Sequence, residues 1–392
     1  MQLEALERMK RPVIAMVAGE QSGDLLGADL IKGLKAKLPH AKFVGIGGDQ
    51  MQDQGLECWF PMETLSVMGF FEVIKRLPQL LHLRKQLIRN LLALKPDVFI
   101  GIDAPDFNFY VERRLKQQNI KTVHYVGPSV WAWREKRLEK IKRSVDGMLV
   151  LFPFEPPIYE RYQIPVCFVG HPMANQVPVE PDKTAARRKL SIDESVLLTA
   201  LLPGSRMSEV ERMADLYLQA ANHLVLIHPQ MEFVIPCVHA KAKARIEQAV
   251  EKYGKRLKVH LIDGQAPSVL EACDQAIVTS GTATLQTALM LRPMVISIKV
   301  HPVSYWIMKR MALSKWIGLP NILAQRDLAP ELIQDEATPE KLALALGRII
   351  ADSKRRQIQL DAYQAQRESL RQNSSQLAAD AVIAWADLHE SV

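Results

Sequence analysis

Paired cysteines and long apolar runs are missing from this chain of 392 residues. The four cysteines, Cys58, Cys167, Cys237 and Cys273, stand singly, without the spacing of a zinc site or a redox pair. We therefore expect buried thiols in a reducing compartment. No apolar run reaches the roughly 18 residues that a membrane-spanning helix needs, so the sequence predicts no such helix.

The usual nucleotide-binding signatures are also missing. There is no G-x-x-x-x-G-K-[ST] loop, which argues against an ATPase or kinase, and GIGGDQ (45–50) lacks the G-x-G-x-x-G spacing of dinucleotide-binding folds. No Asp-x-Asp pair occurs, which argues against the metal-held diphosphate site of many sugar transferases. The sequence therefore predicts no bound metal and no other cofactor.

The composition indicates a soluble protein with an anionic partner. Hydrophobic residues make up 48% and charged residues 24% of the chain, and its length exceeds that of one hydrophobic core. A net charge of +7 and a pI near 9.1 favour nucleic acid, a phosphorylated metabolite or a lipid surface as partner. Composition alone does not choose among these three.

Short apolar runs alternate with helical patterns along most of the chain, which predicts an α/β fold with parallel sheets covered on both faces. Six such runs precede a proline-rich linker at 171–183, and five follow it. The predicted strands are 12–19, 41–48, 97–103, 121–127, 147–153 and 166–170 before the linker, and 195–202, 232–238, 258–263, 275–280 and 294–300 after it.

This alternation predicts two tandem doubly wound, Rossmann-like domains. We expect an N-terminal domain at 1–172 and a second domain at 173–351. The remaining segment, 352–392, is polar and helical in pattern, with no strand left to cover. We expect its helices to pack back on the first domain or on another subunit.

Two strand ends in the second domain carry groups that suit an anion. LLPGSR (201–206) turns at a proline and a glycine, then offers Ser205 and the bidentate fork of Arg206. SGTATLQ (280–286) brings small residues to a helix start, where Gly281 and Thr282 let a diphosphate approach the backbone. Together they suggest a nucleotide diphosphate; in the alternative, Ser205 only caps a helix and Arg206 is a solvated residue.

The first domain offers polar groups after two of its strands. In AGEQSGD (18–24), Glu20, Ser22 and Gly23 stand at a helix start, although an ordinary corner capped by Ser22 explains the same pattern. In GIDAPDFN (101–108), Asp103 ends an apolar strand and Pro105 stops its continuation, so a carboxylate is expected in the cleft. Asp106 is the rival carboxylate, Glu20 is a more distant one, and a turn-capping role for Asp103 stays open.

A basic amphipathic segment at 66–92 suits the surface of an anionic membrane. An ordinary core helix with a solvated basic face explains the pattern nearly as well. The residues expected to contact the membrane are Phe70, Phe71, Leu77, Lys75 and Arg76.

Six stretches follow one another over essentially the whole chain: AGEQSGD, GIDAPDFN, HYVGPSVWAWR, LLPGSR, SGTATLQ and GLPNILAQRD. In this order they resemble the lipid-A-disaccharide synthases, glycosyltransferases of the two-domain GT-B class. The resemblance implies an inverting, metal-independent transfer of 2,3-diacylglucosamine from UDP to 2,3-diacylglucosamine 1-phosphate, which gives a β-1,6-linked disaccharide 1-phosphate and UDP. It also implies a peripheral enzyme on the cytoplasmic face of the inner membrane of Gram-negative bacteria, a possible homodimer, and no nucleic-acid partner.

The resemblance also gives roles to single residues. Arg206 would stabilise the leaving diphosphate, Asp103 would take the proton of the acceptor's 6-hydroxyl, and Asn321 and Arg326 would line the nucleotide. Gln286 stands where this class of enzyme commonly has Glu, so its contact with the ribose departs from the family pattern.

Two functions of other classes stay open on the sequence. A UDP-sugar 2-epimerase shares the expected architecture, but its soluble substrate gives no reason for an apolar surface. A non-enzymatic nucleotide-binding protein that docks on membranes would keep Arg206 and have no use for Asp103 in a cleft. Release of UDP only in the presence of an acylated acceptor distinguishes transfer from both.

Overall fold

The structure is a computed structural model that describes residues 11–65, 70–129, 137–311 and 314–388. The side chains of residues 70–76, 303, 304, 307, 308 and 311 lie outside this description. The chain forms two compact units: the first unit is Met1–Pro172 with Leu370–Val392, and the second unit is Met173–Ser369.

The first unit is built on a parallel sheet of seven strands in the order β3-β2-β1-β4-β5-β6-β7. Apolar side chains cover both faces of this sheet, as expected for parallel strands buried between helices. The strands are β1 Val13–Ala18, β2 Lys42–Ile46, β3 Leu56–Cys58, β4 Val98–Ile102, β5 Lys121–Tyr125, β6 Gly147–Val150 and β7 Val166–Phe168.

The second unit is built on a parallel sheet of six strands in the order β10-β9-β8-β11-β12-β13. Its strands are β8 Leu197–Leu202, β9 Met231–Cys237, β10 Lys258–Asp263, β11 Gln275–Thr279, β12 Met294–Ile298 and β13 Glu331–Ile333. Both sheets are doubly wound, because the chain order reverses between β1 and β4 in one and between β8 and β11 in the other. Ligands of such sheets bind at this reversal, beyond the carboxyl ends of the strands.

Helices connect the strands throughout, and none of the described ones is long and apolar enough to cross a bilayer. The helices are α1 Gln21–Lys37, α2 Asp49–Asp53, α3 Phe70–Leu94, α4 Pro105–Lys116, α5 Leu138–Lys142, α6 Pro156–Glu160, α7 Pro172–Gln176, α8 Lys183–Lys189, α9 Met207–Ile227, α10 Ala240–Tyr253, α11 Ala266–Ala272, α12 Thr282–Leu289, α13 Pro302–Met311, α14 Leu319–Ala324, α15 Pro339–Ala351, α16 Ser353–Leu370 and α17 Ser374–Ala386.

The predicted fold class is confirmed, and each of the eleven predicted strands coincides with an observed one. The structure adds β3 and β13, which the apolar runs did not indicate. Each has three residues and lies at a sheet edge, where a strand is too short to show periodicity and is buried less completely.

We expected 352–392 to pack back on the first domain or on another subunit; α17 lies in the first unit, whereas α16 up to Ser369 lies in the second. The last helix, α17, packs on α1: a Cβ on Gly33 would lie 2.3 Å from the carbonyl oxygen of Ser375. In contrast, α16 is bonded to the second unit. Its Gln359 Oε1 accepts from the N–H of Met294 (3.0 Å), and its Gln366 Nε2 donates to the carbonyl of Pro320 (2.8 Å).

Candidate functional site

The LLPGSR corner joins the buried strand β8 to helix α9 at the carboxyl edge of the second sheet. Gly204 has φ +119°, a conformation that favours glycine, and a Cβ there would lie 2.5 Å from the Cβ of Glu209. Arg206 is the N-cap residue of α9, and its side chain is 81% exposed. The corner therefore presents a helix N-terminus and an exposed guanidinium on the same side of the sheet.

Glu209 is a residue of this corner that the sequence reasoning missed. Its carboxylate accepts from the backbone N–H groups of Ser205 (3.0 Å) and Arg206 (3.3 Å) and from Nη1 of Arg206 (3.2 Å). This is the reach-back of a glutamate in the first turn toward the N-cap, and the three-residue spacing from Arg206 to Glu209 was its signal. A carboxylate thus binds the groups that would hold an anionic ligand.

The second corner follows β11, the neighbour of β8 across the chain reversal. Val278 of β11 is paired with Leu202 of β8, so the two corners leave adjacent strands. Gly281 is the N-cap of α12 with φ +155°, and a Cβ there would meet no atom within 4 Å. Gly281 and Thr282 are exposed and Gln286 is half-buried. The backbone at this helix start is therefore open to a ligand.

A buried tyrosine fixes these strand ends. The hydroxyl of Tyr217, on α9, lies 2.9 Å from Oγ1 of Thr279 in β11 and 3.0 Å from Oγ of Ser297 in β12. Ser280, the residue after β11, donates from its hydroxyl to the carbonyl of Ile317 (3.0 Å). The helix that begins at Arg206 and the strand that ends before Gly281 are therefore linked by side-chain hydrogen bonds.

Asn321 is placed differently from its expected role. It is 1% exposed, and its Nδ2 donates to the carbonyl of Ala329 and to Glu331 (2.8 Å each). Its Oδ1 accepts from the N–H groups of Leu328 (3.1 Å) and Ala329 (2.7 Å). These four bonds saturate the amide, so the Asn321 side chain holds residues 328–331 in place. Arg326, which lies between Asn321 and Leu328 in the sequence, is exposed.

In the first unit, Asp103 follows β4 at the chain reversal, where Ile102 is paired with Ala18 of β1. Asp103 and Ala104 both have positive φ, +51° and +42°. The N–H of Asp103 donates to the carbonyl of Tyr125 (2.8 Å), and Oδ1 of Asp103 accepts from the N–H of Ala104 (2.8 Å). Asp103 is therefore half-buried on a strained turn, a feature typical of functional sites.

The rival carboxylate lies in a different environment. The side chain of Asp106 is 91% exposed, and its Oδ1 lies 2.7 Å from Nη2 of Arg137. Asp106 is thus a solvated partner of a surface arginine, whereas Asp103 lies at the end of the sheet. The last five residues of the HYVGPSVWAWR stretch, 130–134, lie outside the described part of the chain.

The corner after β1 is not capped as the alternative interpretation required. Glu20 is the N-cap of α1 without a side-chain capping bond, and Ser22 is exposed one residue inside the helix. A Cβ on Gly23 would lie 3.3 Å from that of Ala18, so a small residue lets the helix approach the strands. The next residue, Asp24, is buried and accepts from three N–H groups of the 48–51 turn. Glu20 and Ser22 remain exposed beside it.

Helix α3 contains the expected membrane contacts. The side chains of Phe70, Phe71, Lys75 and Arg76 lie outside the described residues. Beyond them Leu77 is 46% exposed and Leu81, on the same helical face, is 45% exposed. The rest of the helix is anchored in the first unit through the buried side chains of Leu83, Leu87 and Leu91.

The family model described as Lipid-A-disaccharide synthetase matches residues 14–384. Lipid-A-disaccharide synthase from Hydrogenovibrio crunogenus is 58% identical over 373 residues, 95% of this chain and 99% of that protein. The protein of the same name from Pseudomonas putida strain W619 is 49% identical over 376 residues, 96% of this chain and 99% of its own length.

Solved structures share the fold at low identity. UDP-GlcNAc 2-epimerase from Neisseria meningitidis, bound to UDP-GlcNAc, has a TM-score of 0.59 at 11% identity and covers 95% of this chain and 98% of its own. A glycosyltransferase from Rickettsia africae has a TM-score of 0.58 at 13% identity, with coverage of 96% and 98%. These structures show the two-domain α/β architecture alone. By the match of its sequence along nearly its whole length, the chain belongs to the lipid-A-disaccharide synthetase family.

Proposed function

We propose that this glycosyltransferase of lipid A biosynthesis transfers 2,3-diacylglucosamine from UDP to 2,3-diacylglucosamine 1-phosphate. The products are the β-1,6-linked disaccharide 1-phosphate and UDP, formed with inversion at the anomeric carbon. We assign donor binding to residues 173–351 and acceptor binding to residues 1–172. The observation that carries the proposal is that the adjacent strands β8 and β11 are each followed by a helix N-terminus, that of α9 and that of α12.

The donor's diphosphate would lie between these corners. Ser205, Arg206 and Gly281 offer backbone N–H groups and a guanidinium, which favour an anion without a metal ion. Glu209 already binds one set of these groups, so the diphosphate would compete with this carboxylate. As the bond from the anomeric carbon to the diphosphate oxygen breaks, Arg206 would stabilise the charge that develops on UDP.

Asp103 would be the general base. The acceptor's 6-hydroxyl oxygen forms the new bond to the anomeric carbon, and its proton passes to the Asp103 carboxylate. The strained turn and the half-buried position of Asp103 support this assignment over Asp106. Glu20, Ser22 and Gly23, after β1, would contribute to the acceptor side.

The remaining donor contacts are assigned from the hydrogen-bonding groups that the side chains offer. Gln286 would bind a ribose hydroxyl through its amide, and its half-buried position on α12 supports this role. Thr282 would contribute its exposed N–H or hydroxyl at the start of the same helix. Arg326, exposed on the segment between Asn321 and Leu328, would face the nucleotide.

The exposed apolar face of α3 would dock on an anionic membrane, because both acylated substrates reside in a bilayer. We accordingly propose a peripheral enzyme on the cytoplasmic face of the inner membrane. We also propose that the enzyme is a homodimer.

Replacing Phe70, Phe71 and Leu77 together by serine should release the protein from phosphatidylglycerol vesicles in a sedimentation assay. Leu226→Ser, at a residue 72% exposed on α9, is the matched control and should stay bound. Loss of folding in the triple variant would show a core helix instead.

The reaction itself is tested by incubating the protein with UDP-2,3-diacylglucosamine, with and without the 1-phosphate acceptor. Transfer predicts UDP release only with acceptor and a product with the mass of the disaccharide 1-phosphate. A UDP-sugar 2-epimerase would change its sugar nucleotide without acceptor, and a binding protein would turn over neither substrate. Either result would refute the proposal.

A further inference from the structure

The turn that carries Asp103 has a conformation that its own residues disfavour. Two consecutive residues with side chains, Asp103 and Ala104, have φ values of +51° and +42°. Such a conformation costs on the order of 1–3 kcal/mol per residue and persists only where surrounding contacts impose it. Besides the bond from the N–H of Asp103 to Tyr125 on β5, contacts on this turn come from helix α4, which begins directly after it.

Asn108, one turn into α4, makes these contacts. Its side chain is 0% exposed, and its Nδ2 donates to the carbonyl of Asp103 (2.8 Å) and approaches that of Ile102 at 3.3 Å. The same nitrogen lies 3.5 Å from the carbonyl of Val17 in β1. One buried amide thus joins the ends of both strands that flank the chain reversal to the backbone of Asp103.

A buried acid–histidine pair holds the helix that carries Asn108. Glu112, one further turn along α4, lies 2.7 Å through Oε1 from Nδ1 of His124 on β5, and neither side chain is exposed. The ring of Phe109 stacks on that of His124 with centroids 4.2 Å apart. Burial raises the pKa of Glu112. Such a pair is costly to desolvate, and removal of either partner would leave the other buried and unpaired, so the pair ties α4 to β5.

Strand β4 has a glycine where Asn108 and Glu112 of α4 pack against it. A Cβ on Gly101 in β4 would lie 2.2 Å from Oε1 of Glu112 and 2.8 Å from the Cβ of Asn108. Within the described part of the chain, Asn108 Oδ1, Glu112 Oε2 and His124 Nε2 are buried without a hydrogen-bond partner. Backbone strain and buried polar atoms without a partner therefore occur together in the turn after β4 and in the adjoining α4 and β5.

We infer that Asn108 is a positioning residue for Asp103, and that the Glu112–His124 pair seats the helix from which Asn108 acts. The inference rests on the proposed role of Asp103 as general base. Asn108 touches no substrate in this account: it fixes the backbone of Asp103, and hence the point from which the carboxylate meets the acceptor hydroxyl. A displacement of about 1 Å at such a group lowers turnover by roughly 100-fold.

The test is a double-mutant cycle of Asn108→Ala and Asp103→Asn, with kcat, the acceptor KM and the UDP dissociation constant measured for each variant. Asn108→Ala should lower kcat roughly 10- to 100-fold, with both binding constants within about threefold of the parent. In the Asp103→Asn background the same change should lower kcat by less than about threefold, because the group that it positions no longer acts.

Thr122→Val is the matched control. Thr122 is a buried polar residue of β5 whose hydroxyl donates to the carbonyl of Ser144 (2.9 Å). This variant loses a buried hydrogen bond in the same sheet, away from Asp103, and should keep near-normal kcat. If Asn108→Ala does not fold, Asn108→Ser enters the same cycle, since its shorter side chain does not reach the Asp103 carbonyl.

The outcomes separate this inference from the function on which it rests. Asn108→Ala could lower kcat by the same factor in the parent and in an Asp103→Asn protein of reduced activity. That result would show a structural role independent of Asp103 and would overturn this inference alone. Unchanged kcat in Asn108→Ala would also overturn it. Near-normal turnover of Asp103→Asn would refute the assignment of the base, and the positioning role with it.

Discussion

Replacing Arg206 by alanine should separate ligand binding from folding stability. The Arg206 side chain is 81% exposed, and its ion pair with Glu209 (3.2 Å) lies at the surface. Such pairs contribute about 0–1 kcal/mol, so the free energy of unfolding should change by no more than that. Its hydrogen bonds to a diphosphate are charge-assisted and worth about 1.5–3 kcal/mol, which predicts UDP binding weaker by about 10- to 150-fold.

The two quantities are measured by calorimetric titration with UDP and by urea unfolding monitored by circular dichroism. Arg212→Ala is the matched control: Arg212 is an exposed arginine on the same helix whose Nη1 donates to the carbonyl of Ser208 (2.7 Å). It should leave UDP affinity unchanged. Parent-like affinity in Arg206→Ala, or an equal loss in both variants, would refute the assignment of the diphosphate to this corner.

Two further predictions concern stability. Burial raises the pKa of Glu155 from 4.5 to about 8, so the folded protein holds an extra proton between these values and its free energy of unfolding falls as pH rises through them. Glu155→Gln should flatten this decline in urea titrations at pH 5 and 8, and an unchanged slope would contradict the explanation. Gly33→Ala should destabilise the protein by about 1–3 kcal/mol, because its Cβ would lie 2.3 Å from the Ser375 carbonyl. The control is Gly347→Ala on α15, where a Cβ would meet no atom within 4 Å, and it should be neutral or stabilising. Both glycine variants are compared with the parent in thermal melts, and equal changes in Tm would argue against the packing of α17 on α1.

The positions of the site loops could be predicted from the sequence, because they follow from strand order. Buried strands of five or six residues, such as β4 and β8, show as apolar runs, and parallel strands bring their carboxyl ends to one edge. The positions of Asp103 after β4 and of Arg206 after β8 were predicted in this way. The strands β3 and β13 were missed because three residues at a sheet edge leave no pattern.

Residue roles that depend on distant contacts could not be predicted. Asn321 stands in a motif shared with the family, yet its amide is saturated by residues seven to ten positions away. Tyr217 fits the apolar stripe of α9, and only the fold brings its hydroxyl to Thr279 and Ser297. Sequence spacing identifies which loops meet, whereas the partner of each polar atom depends on packing across the sheet.

The proposed mechanism depends on transfer of the acceptor hydroxyl proton to Asp103. We would measure the turnover of Asp103→Asn with saturating UDP-2,3-diacylglucosamine and acceptor, beside that of Asp106→Asn, in protein shown by calorimetry to bind UDP. We expect Asp103→Asn to lower kcat by about 100-fold or more, since the amide cannot accept the proton, and Asp106→Asn to stay near the parent. Near-parent turnover in Asp103→Asn, or a large loss in Asp106→Asn alone, would contradict it.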